Sequence, residues 1–196
     1  MEENQVKIRV ESTDIEGVFF VHPELFRDSR GFFLESFRED VWAAEKLPTR
    51  FVQLNHSGSV KNVVRGLHFQ WDPPMGKLMR VTAGSAFLVA VDIRKDSPTL
   101  GKWVGRELHY QEPVLFWAPA GCARGFAVTS DFAEVQYLCT GTYNGNTESN
   151  VLWNDPRIGI EWPVSDPIVS ERDQRAKTLD EWLSDPLSDV FRTERI

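Results

Sequence analysis

The segment VVRGLHFQ, residues 63–70, sets an arginine and a histidine three positions apart in an otherwise apolar, strand-like run. An imidazole changes charge near neutral pH and can take a proton as a general base, whereas a guanidinium forks onto carboxylate or phosphate oxygens. In an ideal strand side chains alternate, so Arg65 and His68 would face opposite sides. A bulge at Gly66, a residue type that permits one, would turn both toward a single pocket. The competing reading is a core histidine with its ring nitrogens satisfied beside a surface arginine, and the segment alone fits both.

Other polar side chains sit in similarly apolar settings. DSRGFFLESF places Arg30 and Glu35 around three phenylalanines, and FVQLNHS puts Gln53 and Asn55 on one strand face by parity. GKLMRV begins a strand with Lys77, EVQYLCTGTY carries Tyr137 and Tyr143, and SERD supplies Arg172 and Asp173. Taken singly, each also has a structural reading: a surface ion pair worth little, a solvated strand end, a core tyrosine with a bonded hydroxyl.

Three familiar chemistries lack their residues. A metal-holding jelly roll wants a His-x-His pair on one strand and a later His after a Pro-x-Gly turn. Here His68 is followed two places on by Gln70, and the Pro119–Gly121 turn leads to Arg124, which cannot ligate a cation. His22, His56 and His109 show no ligand spacing, so no catalytic metal and no cofactor are expected. There is no G-x-S-x-G elbow and no cysteine in an activating context. No P-loop or dinucleotide fingerprint is present either.

The elements that must position these side chains are short strands. Strand patterns fall at 17–26, 31–38, 50–55, 63–70, 77–83, 85–93, 102–109, 113–118, 124–129 and 133–140. AGS at 83–85 reads as a tight hairpin turn and PAG at 119–121 as a second turn. Helical signals are confined to 39–46, with Asp40 as the expected cap, and to 171–184, read as a helix or two short turns. The expected fold is therefore all-β, a double-sheet jelly roll with short peripheral helices. No linker interrupts the 196 residues, so one domain is expected, with a core at about 17–175 and a C-terminal extension over 176–196. Thirteen Phe and seven Trp suit such strands and a large buried surface.

A net charge of −7 argues against nucleic acid or an anionic membrane as partner, though a locally basic pocket could still take a small anion. The two cysteines, Cys122 and Cys139, are expected to be buried free thiols. The polar N-terminal stretch MEENQVKIRV has no apolar signal core, and no apolar run reaches membrane-spanning length; a soluble, cytoplasmic protein is expected.

These segments together resemble the dTDP-4-dehydrorhamnose 3,5-epimerase family of nucleotide-sugar epimerases. The match runs in family order through DSRGFFLESF, FVQLNHS, VVRGLHFQ, GKLMRVTAGSAFLVAVDIRKDSPTLGKWVG, WAPAGCARGFAV, AEVQYLCTGTYN, VLWNDPRIGIEWP and VSERD, about residues 17 to 175. The resemblance implies a metal-free cupin jelly roll, a homodimer with strand exchange, and a dTDP-4-keto-6-deoxyhexose substrate inverted at carbons 3 and 5. It further implies His68 as the base, Asp173 as the carboxylate orienting it, Tyr137 as the acid on the opposite face and Lys77 as the cation at the developing enolate. Arg30 and Arg65 would neutralise the pyrophosphate, and Glu35, Gln53 and Asn55 would contact the nucleotide end. Tyr143 would stack on thymine, with Glu148 and Arg172 at further substrate contacts; the family commonly has Lys at the latter. One position departs: the family's Ala-His-Gly-Phe, whose His contacts the substrate near the reacting sugar, is Ala123-Arg124-Gly125-Phe126 here, so the resemblance implies Arg124 as a substrate contact donating to the ketone or a sugar hydroxyl. Arg124 keeps hydrogen-bond donors but cannot act as a base, which opens the alternative of a 3-only or 5-only epimerase. A non-catalytic nucleotide-sugar-binding cupin is the reading from outside the enzymes, and the intact base and acid weigh against it.

Overall fold

A computed structural model describes residues 7–192; the first six residues of the polar N-terminal stretch and the last four of the C-terminal extension lie outside it. Fourteen strands occur among the described residues: β1 (Ile8–Ser12), β2 (Phe19–Pro23), β3 (Leu25–Asp28), β4 (Gly31–Leu34), β5 (Gln53–Val60), β6 (Val63–Gln70), β7 (Lys77–Ala83), β8 (Ser85–Asp92), β9 (Trp103–His109), β10 (Leu115–Ala118), β11 (Cys122–Val128), β12 (Phe132–Cys139), β13 (Glu148–Asn150) and β14 (Ile168–Val169). One sheet runs β1-β2-β10-β7-β12-β5; the other runs β13-β6-β11-β8-β9, with β14 also paired to β6. β3 and β4 form a separate hairpin. This is the double-sheet jelly roll expected from the sequence.

Strand alternation builds three apolar layers. Between the sheets lie Phe20, Met79, Val81, Leu88, Phe116, Phe126 and Val135. On the outside of the first sheet Leu78, Leu115 and Trp117 pack with Trp42 of α1 (Glu39–Ala44). On the outside of the second, Leu67, Phe69, Val89 and Val91 meet Leu179 and Trp182 of α3 (Leu179–Ser184) and Phe191 of a short 3₁₀ turn. Trp182 lies 4.6 Å from Phe69 between ring centroids, so the C-terminal extension docks on this chain's own sheet. Strands with apolar residues on both faces, such as β8, are buried between two layers, which is why they read as nearly continuous apolar runs.

Two local expectations are corrected. Gly84 is not the turn of a hairpin between paired strands, because β7 and β8 belong to different sheets; it is a corner at which the chain changes sheet. Its φ of +68° favours glycine, and a Cβ there would lie 2.0 Å from the Phe132 carbonyl oxygen. Asp40 does not cap α1: Arg38 is at the N-cap with no side-chain cap bond, and Asp40 lies in the first turn. The 171–184 signal resolves into α2 (Glu171–Gln174), capped by Ser170, and α3, which opens on a capping box formed by Thr178 and Glu181. Cys122 and Cys139 are free and buried; burial pushes the Cys122 thiol up to about 12, which makes it inert.

Candidate active site

Gly66 decides where Arg65 and His68 point. Opposite β6, His68 pairs with Arg124 but Arg65 pairs with Phe126, so two residues of β6 oppose one of β11. That is a bulge, and it brings Arg65 to the same face as His68. Gly66 has φ +144°, and a Cβ on it would come within 2.8 Å of the Gly125 Cα; a Cβ on Gly125 would come within 2.6 Å of the Arg65 carbonyl oxygen. The two glycines let β6 and β11 approach closely where the bulge forms.

The resulting cleft lies between the two sheets. Arg65 and His68 of β6 and Arg124, Gly125 and Phe126 of β11 form one wall, and Lys77 and Met79 of β7 and Val135 and Tyr137 of β12 form the other. Arg65 reaches across it, Nε donating to Ser59 Oγ of β5 at 3.1 Å.

His68 is paired with Asp173 although 105 residues separate them. β13 covers β6 at His68–Gln70, Val151 exchanges backbone hydrogen bonds with Leu67, and β14 covers Val63–Val64, so the edge is open at Arg65–Gly66. α2 places Asp173 at that gap. Asp173 Oδ1 lies 2.7 Å from His68 Nε2 and 3.0 Å from Asn150 Nδ2, while Oδ2 accepts from the Gly66 N–H at 3.3 Å. Burial by itself would raise the Asp173 carboxyl, but the His68 hydrogen bond and charge and the bonds to Gly66 and Ser170 outweigh it, leaving its pKa below the ordinary carboxylate value. An ionised Asp173 accepting from Nε2 leaves His68 Nδ1 with a free lone pair.

On the facing wall, Lys77 Nζ sits 5.0 Å from the Tyr137 ring centroid, within cation–π range. Burial, then the Arg124 charge, lowers Lys77 to about 8. Burial raises the Tyr137 phenol, with the hydrogen bond from Asn55 acting the other way, so the phenol keeps its proton at neutral pH.

The remaining expected residues fall into three groups, none of them part of the cleft lining. Gln53 Nε2 donates to Asn55 Oδ1 at 2.9 Å, and its Oε1 accepts from the Tyr143 N–H at 2.7 Å. Arg172 and Glu148 form an ion pair at 2.7 Å. Arg30 and Glu35 form the third: Arg30 pairs with Asp28 on the exposed β3–β4 hairpin, and Glu35 lies 3.6 Å from Arg38. Two positions escaped the sequence reading. Asn150 holds Asp173, and Gln70, buried, ties Pro73 and Thr142 carbonyls to the Asn144 N–H, fixing the loops that carry Tyr143. No motif marks either; both depend on burial that only the tertiary fold creates. Among the described residues no cluster of three His, Cys, Asp or Glu could hold a metal ion.

The family model described as dTDP-4-dehydrorhamnose 3,5-epimerase matches residues 12–181. The chain belongs to this family. The dTDP-4-dehydrorhamnose 3,5-epimerase of Methanothermobacter thermautotrophicus is 44% identical over 89% of this chain and 96% of its own length. The Neisseria gonorrhoeae enzyme of that name is 49% identical over 85% of this chain, which spans about half (51%) of that longer protein. The crystal structure of the Legionella pneumophila dTDP-6-deoxy-D-glucose-3,5-epimerase in complex with dTDP-4-keto-L-rhamnose superposes with a TM-score of 0.88 at 39% identity, covering 94% of this chain and 97% of that one. The epimerase family thus spans the jelly roll, the cleft and the segment that delivers Asp173.

Proposed function

We propose that the chain is an isomerase, a dTDP-4-dehydrorhamnose 3,5-epimerase that converts dTDP-4-keto-6-deoxyglucose to dTDP-4-keto-L-rhamnose. The observation that carries this reading is the placement of a base and an acid on opposite walls: His68 on β6 of one sheet, Tyr137 on β12 of the other. Carbons 3 and 5 flank a ketone, so their hydrogens are weakly acidic. His68 Nδ1 takes the proton and the C–H electron pair passes to the C4 oxygen as an enolate. Lys77 stabilises that charge, the kind of preorganised contact worth about 3 kcal/mol in a dry site. Tyr137 then delivers a proton to the opposite face of the carbon, which inverts it; His68 returns its proton to solvent and the tyrosinate takes one up from solvent, which resets both groups for the second carbon. Asp173 keeps the imidazole oriented and steadies its charged form.

Arg65 and Arg30 take the pyrophosphate, and Glu35, Gln53, Asn55 and Tyr143 take the nucleotide; Glu148 and Arg172 contact the substrate as an ion pair. Phe26, Phe32 and Phe33 are 43%, 41% and 68% exposed on the hairpin that carries Arg30, which supports a homodimer in which that hairpin docks on a second copy; the compartment proposed for it is the cytoplasm. No helix among the described residues is long and apolar enough to cross a membrane. Residues 1–196 act as one domain.

The test is incubation of the purified chain with dTDP-4-keto-6-deoxyglucose in heavy water, with carbons 3 and 5 followed by proton NMR. Deuterium at both carbons, and sedimentation at about twice the 22.4 kDa chain mass, are expected. Deuterium at one carbon alone would move the chain to the single-site epimerases, a reading that Arg124 in the cleft favours. No exchange would overturn the assignment for this substrate.

A further inference from the structure

Arg124 is the cation in the cleft that replaces a family histidine, and the resemblance gives its position a contact with the sugar. Its side chain is only 3% exposed. Nη1 and Nη2 both donate to the Met75 carbonyl, at 2.8 and 2.6 Å, and Nε is buried with no hydrogen-bond partner. The ionisable neighbours that bear on its charge are the thiols of Cys122 and Cys139 rather than a carboxylate. Burying a guanidinium without a counter-charge is costly, so the forked grip on one backbone oxygen is its main compensation.

Met75 lies two residues before Lys77, in the connection between β6 and β7. Other bonds hold that connection at its flanks: Gln70 to the Pro73 carbonyl at 2.9 Å and the Gly76 N–H to Thr140 Oγ1 at 2.8 Å. The Met75 carbonyl is held by Arg124. The geometry points to Arg124 as a positioning residue: by clamping the Met75 carbonyl it fixes where β7 begins and seats the Lys77 ammonium over Tyr137. A direct substrate ligand would turn its fork to the cleft, and here the fork is turned onto the backbone. The inference rests on the role given to Lys77 above, and it takes Arg124 out of direct contact with the sugar.

The groups that face Lys77 are Arg124, Tyr137, Cys139 and Glu148. With Arg124 removed, Lys77 loses both its anchor and the like charge that holds its pKa down. The test compares Arg124→Met, which keeps length without donors, with Arg124→Lys, which keeps the charge and donates from a single nitrogen. In Arg124→Met kcat should fall about tenfold or more while KM moves by less than about threefold, because displacing a group at the reacting centre weakens transition-state binding alone. Arg124→Lys should recover most of the loss. Independently of any substrate, the Lys77 ¹³Cε resonance in selectively labelled protein should titrate at higher pH in Arg124→Met than in the wild type, and stay near the wild-type value in Arg124→Lys. If Arg124→Met fails to fold, Arg124→Gln, too short to fork onto Met75, carries the same expectations. A tenfold rise in KM at unchanged kcat would show a substrate ligand and overturn the inference, as would an unchanged Lys77 titration. The NMR arm stands whether or not the wild type turns over this sugar, so loss of the proposed reaction and loss of the clamp are told apart.

Discussion

His68→Ala is expected to abolish deuterium incorporation at both carbons and to lower kcat by about a thousandfold, within the range for loss of a general base. Among the described residues no second imidazole lines the cleft, and the other titratable groups there are poor substitutes: Lys77 is needed as a cation, Arg124 stays protonated at neutral pH, and Tyr137 holds its proton. Asp173→Asn should cost less, about ten- to a hundredfold, because the ring stays in place but loses the charge that fixes its tautomer and steadies the imidazolium. Both variants should leave KM near the wild-type value, since neither residue is assigned to the nucleotide. A His68→Ala protein that still exchanges either hydrogen would mean another base serves that carbon, and the single-base mechanism would fall. Wild-type kcat should decline above pH about 8 as Lys77 loses its proton, and a flat profile to pH 10 would take Lys77 away from the enolate.

The fold was legible because alternation is a local property. The patterns at 63–70, 77–83, 85–93 and 102–109 fall on β6 to β9 almost end for end. Three strands were not anticipated. β1 carries the alternation of an edge strand beside a charged terminus, and its pairing with β2 comes from tertiary context: Arg106 of β9 binds Glu11 there and lies 3.8 Å from the Phe20 ring centroid. β13 and β14 are three and two residues long, too short for any period to show. β5 extends to Val60 through His56, Ser57, Gly58 and Ser59, which have weak strand preference but are held in register by β12.

The site divides along the same line. That Arg65 and His68 share a pocket could be posed from Gly66, since a bulge at a glycine is a local device. That Asp173 completes the pair could not: it comes from a four-residue helix entering a gap in a strand edge, and only the family resemblance joined those positions. The same resemblance set Arg124 beside the sugar, whereas the structure turns its fork onto Met75, a contact with a backbone atom that no side-chain pattern encodes.

Tyr137→Phe should separate two events that the wild type couples. The variant keeps the ring, its packing against the inter-sheet core and its place under Lys77, and removes only the hydroxyl. Proton abstraction by His68 does not need that hydroxyl, so the hydrogens at carbons 3 and 5 should still exchange with heavy water. Return of a proton to the opposite face does need it. Product should therefore form about a hundredfold more slowly or worse, while exchange falls by far less, and the deuterated sugar recovered should keep the configuration of the substrate. The comparison is internal, because one NMR time course reports both isotope content and configuration. Equal loss of exchange and inversion would assign Tyr137 to binding or to enolate formation. Full inversion by Tyr137→Phe would mean that water or another donor reaches the far face, and the two-wall account of stereochemistry would be wrong. Burial sharpens the contrast: it raises the Tyr137 phenol, so at neutral pH the wild-type hydroxyl carries the proton that the far-face step requires.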